Sequence, residues 1–140
     1  MTEAIKRTIL VTGGSRGIGR GICMAFANGD NHIYFNYSSA AEAAAQTEKL
    51  VAEKGGNATG VRVNVASEKE VSEFVALALD ETGRIDVLIN NAGITRDGLI
   101  QNTSDEEWDL VVSINLKGVF NMTRAIGPKM TAAGAGSIIN

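Results

Sequence analysis

The sequence predicts an α/β protein with a parallel sheet wound on both faces by helices, and three observations support this prediction. Strand-like and helix-like segments alternate along all 140 residues without a linker or repeat, as in right-handed βαβ units. A glycine-rich segment, residues 12–19, directly follows the apolar run 9–11. A polar turn, residues 90–93, directly follows the apolar run 87–89. Both turns are expected at the carboxyl edge of the sheet, where ligands bind in open α/β folds.

The predicted elements alternate in order. Strands are expected near residues 7–12, 32–37, 58–64, 85–90 and 136–140, and helices near 17–28, 40–54, 67–82 and 104–132. The first helix has an apolar face that begins at Ile18 and Ile22. The second is alanine-rich with a polar outer side, so it is expected to pack on the sheet without a chemical role. The third has the clearest apolar stripe, which consists of Val71, Phe74, Val75, Ala78 and Leu79.

The fourth helix contains a polar residue where its apolar stripe should continue. Trp108, Val111 and Val112 define the stripe, and its next position is Asn115. An amide on a core-facing stripe needs hydrogen-bond partners, because leaving it without them costs roughly 1–3 kcal/mol. Asn115 is therefore either a structural amide that ties the helix to a strand, or an amide that reaches the cleft and holds a water or bends the helix.

Composition excludes several classes of function. A net charge of −3 and the lack of a basic cluster argue against a nucleic-acid partner. No apolar run resembles a signal peptide or reaches membrane-spanning length, so we expect a cytoplasmic protein without a membrane partner. The single cysteine, Cys23, is expected in the core. The single histidine, His32, lies near no group of residues at metal-ligand spacing, so no metal site is expected.

The glycine-rich segment predicts a phosphate-binding turn between a strand and a helix. Gly13, Gly17 and Gly19 allow a sharp turn and a close approach of main-chain N–H groups to a diphosphate. A nucleoside-triphosphate loop is disfavoured, because Arg20 and Gly21 stand where that loop has lysine and a hydroxyl residue. A glycine-rich turn without a ligand is the other alternative. The strand before the segment and the amphipathic helix after it disfavour that alternative.

Three ordered motifs resemble those of the short-chain dehydrogenase/reductase family. They are TGGSRGIG at residues 12–19, NNAG at 90–93, and Asn115 within SINLKGVF. The segment NNAGITRDGLI followed by DEEW is similar to the bacterial 3-oxoacyl-[acyl-carrier-protein] reductases. The resemblance implies one dinucleotide-binding domain over residues 1–140. Its fold would be Rossmann-like, with about five strands in the order 3-2-1-4-5, truncated before the family's C-terminal strands.

The resemblance also implies roles for particular residues. In the glycine segment, the turn would hold the pyrophosphate, while Ser15 and Arg16 would reach the adenosine ribose and its phosphate. Asn64 and Val65 would border the adenine, and Asn91 would contact the adenosine side. The expected cofactor-binding residues are Gly13, Ser15, Arg16, Gly17, Ile18, Gly19, Ser38, Asn64, Val65, Asn91, Ala92 and Gly93. The expected catalytic residue is Asn115.

The segment after the second strand favours NADPH over NADH. A carboxylate at that position would bind the 2′-hydroxyl of NAD and repel the 2′-phosphate of NADP. Residues 36–39 contain no acid, and the first one is Glu42. Arg16 can pair with a phosphate and Ser38 can donate a hydrogen bond to it.

The family's catalytic Tyr-x-x-x-Lys is not present in these residues. The only tyrosines are Tyr34 and Tyr37, which are followed four positions later by Ser38 and Ala41. The chain stops just before the expected position of the catalytic serine, and we expect it to be inactive alone. It is interpreted as the N-terminal, cofactor-binding part of an NADPH-dependent 3-oxoacyl reductase. The alternatives are a non-catalytic dinucleotide-binding or interaction module, or a fragment of another reductase such as an acetoacetyl-CoA reductase.

Two kinds of partner are expected. The resemblance implies an acyl carrier protein thioester as the substrate. The fifth strand is expected at an open edge of the sheet, where Ile138 and Ile139 invite pairing with another chain. We therefore expect a homo-oligomer.

Overall fold

The computed structural model describes residues 6–140 and contains one five-stranded parallel sheet. The strands are β1 (Arg7–Val11), β2 (Asn31–Tyr37), β3 (Asn57–Arg62), β4 (Val87–Ile89) and β5 (Ser137–Ile139). Their order across the sheet is β3-β2-β1-β4-β5, and all four neighbouring pairs are parallel. The doubly wound topology and the strand order 3-2-1-4-5 are thereby confirmed.

Helices connect the strands on both faces of the sheet. They are α1 (Gly17–Ala25), α2 (Ala41–Glu53), α3 (Glu68–Thr82), α4 (Asp105–Val112) and α5 (Gly118–Ala133). The predicted fourth helix, 104–132, is in fact α4 and α5 joined by a π-helical segment, Ser113–Lys117. A short 3₁₀ turn, Ile100–Asn102, precedes α4 and was not predicted.

The alternation of side chains along the strands divides the core into two layers. Leu10 on β1 packs with Phe74 of α3 and Met122 of α5 on one face of the sheet. Ile9 and Val11 point to the opposite face, because successive side chains of a strand alternate. There they join the cluster that contains Cys23 and Val51 from α1 and α2, so Cys23 lies in the core as predicted.

The predicted core face of the fourth helix is wrong. Trp108 is 66% exposed, and Asn115 is also exposed. The π-helical segment accounts for Asn115, because its wider turn breaks the helical spacing that the stripe assumed beyond Val112. Trp108 precedes that segment, in a helix with no buried residue. The face of α5 that enters the core is instead marked by Met122 and Ile126, both fully buried.

Candidate cofactor site

A cleft of about 320 Å³ opens at the carboxyl edge of the sheet. It lies where the strand order reverses between β1 and β4, which is the usual ligand position in doubly wound folds. Of the predicted cofactor residues, all but Gly17 line it, namely Gly13, Ser15, Arg16, Ile18, Gly19, Ser38, Asn64, Val65, Asn91, Ala92 and Gly93. Further lining residues that the sequence had not singled out are Asn36, Tyr37, Val63, Ile94 and Ile114.

The loop between β1 and α1 depends on glycine at specific positions. Gly13 and Gly17 have φ angles of 71° and 57°, in the left-handed region that disfavours other residues. Gly19 is required for a different reason, because a Cβ there would lie 1.9 Å from the carbonyl oxygen of Gly13. The start of α1 is therefore in direct contact with the preceding loop, as the glycine spacing predicted.

Helix α2 fixes the carbonyl groups of this loop. The hydroxyl of Thr47, which is fully buried, lies 3.1 Å from the Gly14 carbonyl oxygen and 3.0 Å from that of Ser15. The Arg20 Nη2 donates to the same Ser15 carbonyl at 2.7 Å, and its Nε donates to Thr47 Oγ1 at 3.0 Å. These contacts tie the loop to α1 and α2. This positioning role of α2 was not predicted, because only the tertiary fold brings Thr47 to the loop.

The turn after β4 is hydrogen-bonded to the end of β1. Thr12 Oγ1 accepts hydrogen bonds from the backbone N–H groups of Asn91 and Ala92 at 3.0 and 2.9 Å. The Asn91 Nδ2 donates to the carbonyls of Thr12 and Gly13 at 3.1 and 3.2 Å. These four contacts set the relative positions of the two motifs. Thr12 belongs to the glycine-rich motif, but no local sequence pattern predicts this role for its hydroxyl.

Asn36 connects three strands beside the cleft. Its Oδ1 accepts from the N–H of Gly13 at 2.9 Å, and its Nδ2 donates to the carbonyl of Val63 at 2.8 Å. Its backbone carbonyl accepts from the N–H of Gly14 at 3.1 Å. This positioning role of Asn36 was not predicted from the sequence, where the residue indicated only the lack of an acid after β2.

The start of α1 is electropositive. Arg16 is its N-cap residue, its side chain caps no N–H, and the first turn of the helix contains no acid. Within residues 6–140, the Arg16 side chain forms no hydrogen bond or ion pair. A helix N-terminus without a cap leaves N–H donors and a partial positive charge available. Together with the guanidinium, this arrangement can bind a phosphate.

Asn115 holds the segment that follows the NNAG motif. Its Oδ1 accepts from the N–H of Ile94 at 2.8 Å, and its Nδ2 donates to the carbonyl of Ile94 at 2.9 Å. Both ends of the amide are thus used by one residue. Of the two interpretations left open by the sequence, these contacts favour a structural amide for the side chain. The partner is a loop residue and not a strand, and the π-helical segment places the amide there.

Two side chains with titratable groups, Cys23 and Tyr34, are buried in the core. Burial raises the pKa of the Cys23 thiol to about 12, so it remains a neutral thiol near pH 7. Tyr34 is fully buried and donates to the Glu81 carboxylate. Burial and this contact raise the pKa of Tyr34 above its ordinary value. Between residues 6 and 140, no group of three or more His, Cys, Asp or Glu side chains is placed to hold a metal ion.

A comparison with protein families identifies the chain. The family described as short chain dehydrogenase matches residues 7–140. The chain belongs to the short-chain dehydrogenase family. None of the helices within residues 6–140 of this short-chain dehydrogenase is long and apolar enough to cross a membrane.

Curated relatives of this short-chain dehydrogenase include 3-oxoacyl-[acyl-carrier-protein] reductases. The protein of that name from Synechocystis is 41% identical over 140 residues, all of this chain and 57% of the relative. The one from Staphylococcus epidermidis is 38% identical over 136 residues, 97% of this chain and 56% of the relative. The chain therefore spans a little over half the length of these two proteins.

Solved structures agree with this family membership. A metagenomic short-chain oxidoreductase in complex with NADP superposes with a TM-score of 0.91 at 30% identity, covering 100% of this chain and 63% of the other. A variant of a short-chain dehydrogenase/reductase from Serratia marcescens gives a TM-score of 0.82 at 26% identity, covering 87% of this chain and 50% of the other. Both likenesses extend over most of this chain.

Proposed function

We propose that this chain is the NADPH-binding part of a 3-oxoacyl-[acyl-carrier-protein] reductase, with residues 1–140 as its dinucleotide-binding domain. The observation that carries the proposal is the start of α1, where an uncapped helix N-terminus and Arg16 face a cleft lined by the glycine motif. The similarity to bacterial reductases of that name supports the substrate class.

The start of α1 has the room and the charge that a dinucleotide needs. Around the position of a Cβ on Gly17, no other heavy atom lies within 4 Å apart from those of its chain neighbours and its own helix backbone. The pyrophosphate would accept hydrogen bonds from the N–H groups of Gly17, Ile18 and Gly19. Asn64 and Val65 would border the adenine.

The preference for NADPH would come from the 2′-phosphate. Ser38 follows β2 directly and lines the same cleft as Arg16. The guanidinium of Arg16 would pair with the phosphate, and the hydroxyl of Ser38 would donate a hydrogen bond to it. NADPH, when bound, supplies the hydride that reduces a 3-oxoacyl thioester to the 3-hydroxyacyl thioester.

The isolated chain is proposed to bind the cofactor without turning over substrate. Asn115 is the one family catalytic position that its residues match, and Tyr-x-x-x-Lys is not present in them. Without a positioned proton donor, the alkoxide formed by hydride transfer is not protonated by the protein. The acyl carrier protein thioester is accordingly proposed as a substrate of the complete reductase.

A second copy of the chain is the proposed partner. Trp108, Leu116 and Phe120 are 66%, 67% and 55% exposed on the α4 and α5 side of the molecule. At the edge strand β5, Ile139 is 51% exposed. Large exposed apolar side chains and an open strand edge favour association. Sedimentation across a range of concentrations should show a dimer or larger species, and a monomer at every concentration would contradict this proposal.

Calorimetric titration of the chain with NADPH and with NADH tests the cofactor proposal. We expect NADPH to bind at least about tenfold more tightly, because one charge-assisted contact contributes about 1.4 kcal/mol or more. Arg16→Gln should remove most of this difference in affinity, because it should weaken the binding of NADPH and not that of NADH. The control is Lys69→Gln, which removes the same charge from the exposed side of α3. Equal affinity for the two cofactors, or no binding of either, would contradict the proposal.

A further inference from the structure

A second arginine lies beside Ser38 and was not identified from the sequence. Arg62 is the last residue of β3 and is paired in register with Tyr37, the last residue of β2. Its Nε donates a hydrogen bond to the carbonyl oxygen of Ser38 at 3.0 Å. The Arg62 side chain therefore contacts the backbone of Ser38 at the carboxyl edge of the sheet.

The side chain of Arg62 makes a single hydrogen bond within residues 6–140. Arg84 and Arg124 form ion pairs with Asp86 and Glu68, and Arg20 donates to the backbone and to Thr47. Arg62 pairs with no carboxylate in the part of the chain that the structure describes, and its one hydrogen bond there uses Nε. A guanidinium has five N–H donors, so four remain available at the two terminal nitrogens.

We propose that Arg62 is a second guanidinium that binds the 2′-phosphate of NADPH. The proposal rests on the cofactor proposal above and adds a residue from the edge strand to the site. The bond from Nε to the Ser38 carbonyl anchors the planar group next to the residue whose hydroxyl would contact the phosphate. The free side of the guanidinium suits two phosphate oxygens at once. Arg62 and Arg16 would then approach the phosphate from β3 and from the glycine loop.

Titration with 2′,5′-ADP and with 5′-AMP isolates the 2′-phosphate, because the two probes differ only in that group. We expect Arg62→Gln to weaken the binding of 2′,5′-ADP and of NADPH about fivefold, which is the effect of losing one partly exposed ion pair. The dissociation constants of 5′-AMP and NADH should change by less than about twofold. Lys69→Gln is the matched control, and it should leave the affinities for all four ligands unchanged. In Arg62→Lys, which keeps the charge without the planar fork, part of the affinity should return.

The possible outcomes separate this inference from the cofactor proposal. If the unmodified chain binds 2′,5′-ADP more tightly than 5′-AMP and Arg62→Gln retains that full difference, Arg62 has no role and the cofactor proposal stands. If Arg62→Gln weakens the binding of both probes equally, Arg62 acts through the loop and does not contact the 2′-phosphate. The inference is then also wrong. If the unmodified chain binds neither probe, both proposals fail together.

Discussion

Helices α1 and α4 begin with opposite arrangements of residues. At α4, Ser104 Oγ accepts a hydrogen bond from the N–H of Glu107, and the Glu107 carboxylate accepts one from the N–H of Ser104. Two further acids, Asp105 and Glu106, lie in the first turn. At α1, the N-cap residue is Arg16, its side chain caps no N–H, and the first turn contains no acid.

The difference separates a helix start that stabilises the fold from one that is available to a ligand. A capping residue contributes about 1 kcal/mol, and acids near a helix N-terminus contribute up to about 1 kcal/mol each. Helix α4 has both kinds of contribution, whereas α1 has neither and carries a cation where an anion would be favourable. This arrangement is unfavourable for the free protein and favourable for a bound phosphate.

Gly19→Ala should produce the largest effect, because it disrupts the start of α1. The new Cβ would lie 1.9 Å from the Gly13 carbonyl oxygen and 2.7 Å from Asn91 Nδ2. Forcing the helix away from the loop should lower the free energy of unfolding by about 3 kcal/mol and abolish NADPH binding. Denaturant titration and calorimetry measure the two effects.

Gly21→Ala is the matched control for this substitution. Gly21 lies in the same helix, and a Cβ there meets nothing within 4 Å. Alanine is the better helix former, so this variant should be more stable by up to about 1 kcal/mol and should bind NADPH normally. Equal stabilities of the two variants would show that α1 does not need the close contact at Gly19.

Arg16→Asp should convert the start of α1 into one like that of α4. An aspartate at the N-cap accepts hydrogen bonds from the first turn and interacts favourably with the helix dipole, so the free energy of unfolding should rise by about 1 kcal/mol. The same carboxylate would repel a phosphate, and NADPH should bind at least about 100-fold more weakly. A variant that keeps its NADPH affinity would exclude α1 as the phosphate site. A variant with a lower free energy of unfolding would show that an N-cap residue does not stabilise the start of α1.

Thr12→Val should be the next largest effect, since Thr12 holds the turn that faces α1. Valine has the same shape but leaves the N–H groups of Asn91 and Ala92 without their acceptor. We expect the free energy of unfolding to fall by about 2 kcal/mol. Thr8→Val is the control on β1, the strand that leads to Thr12, because Thr8 Oγ1 is buried and has no partner within residues 6–140. That variant should be as stable as the parent chain or more stable. A similar loss in both variants would indicate a packing effect.

The sheet and the position of the cleft were predictable because their signals are local in sequence. The apolar runs that become β1 and β4 each precede a turn whose residues have special backbone requirements, such as Gly13. The parallel order then brings both turns to one edge of the sheet. Five buried or half-buried positions of α3 were also found, because its stripe has undisturbed helical spacing.

The remaining features depend on contacts between residues far apart in the chain. Thr47 lies 33 residues from Gly14, and Arg62 lies 24 residues from Ser38, so neither contact has a signature in the sequence. The π-helical segment before α5 changes the helical spacing within a single turn, which is why Asn115 was placed in the core. Helical periodicity in a sequence predicts a buried face only where the number of residues per turn is constant, and it is not constant in the π-helical segment.

Ser104→Ala should have a smaller effect than the substitutions of Gly19, Arg16 and Thr12. It tests the contribution of the capped start of α4. Losing the hydroxyl leaves the N–H of Glu107 uncapped, so the free energy of unfolding should fall by about 1 kcal/mol. Ser113→Ala is the control. The Ser113 hydroxyl donates a hydrogen bond to the carbonyl of Leu110 within the helix, and its loss should lower the free energy of unfolding by under about 0.5 kcal/mol. NADPH affinity should be unchanged in both variants. A cap at α4 that affected cofactor binding would mean that the two helix starts are coupled, and the division between a stabilising start and a ligand-binding start would not hold.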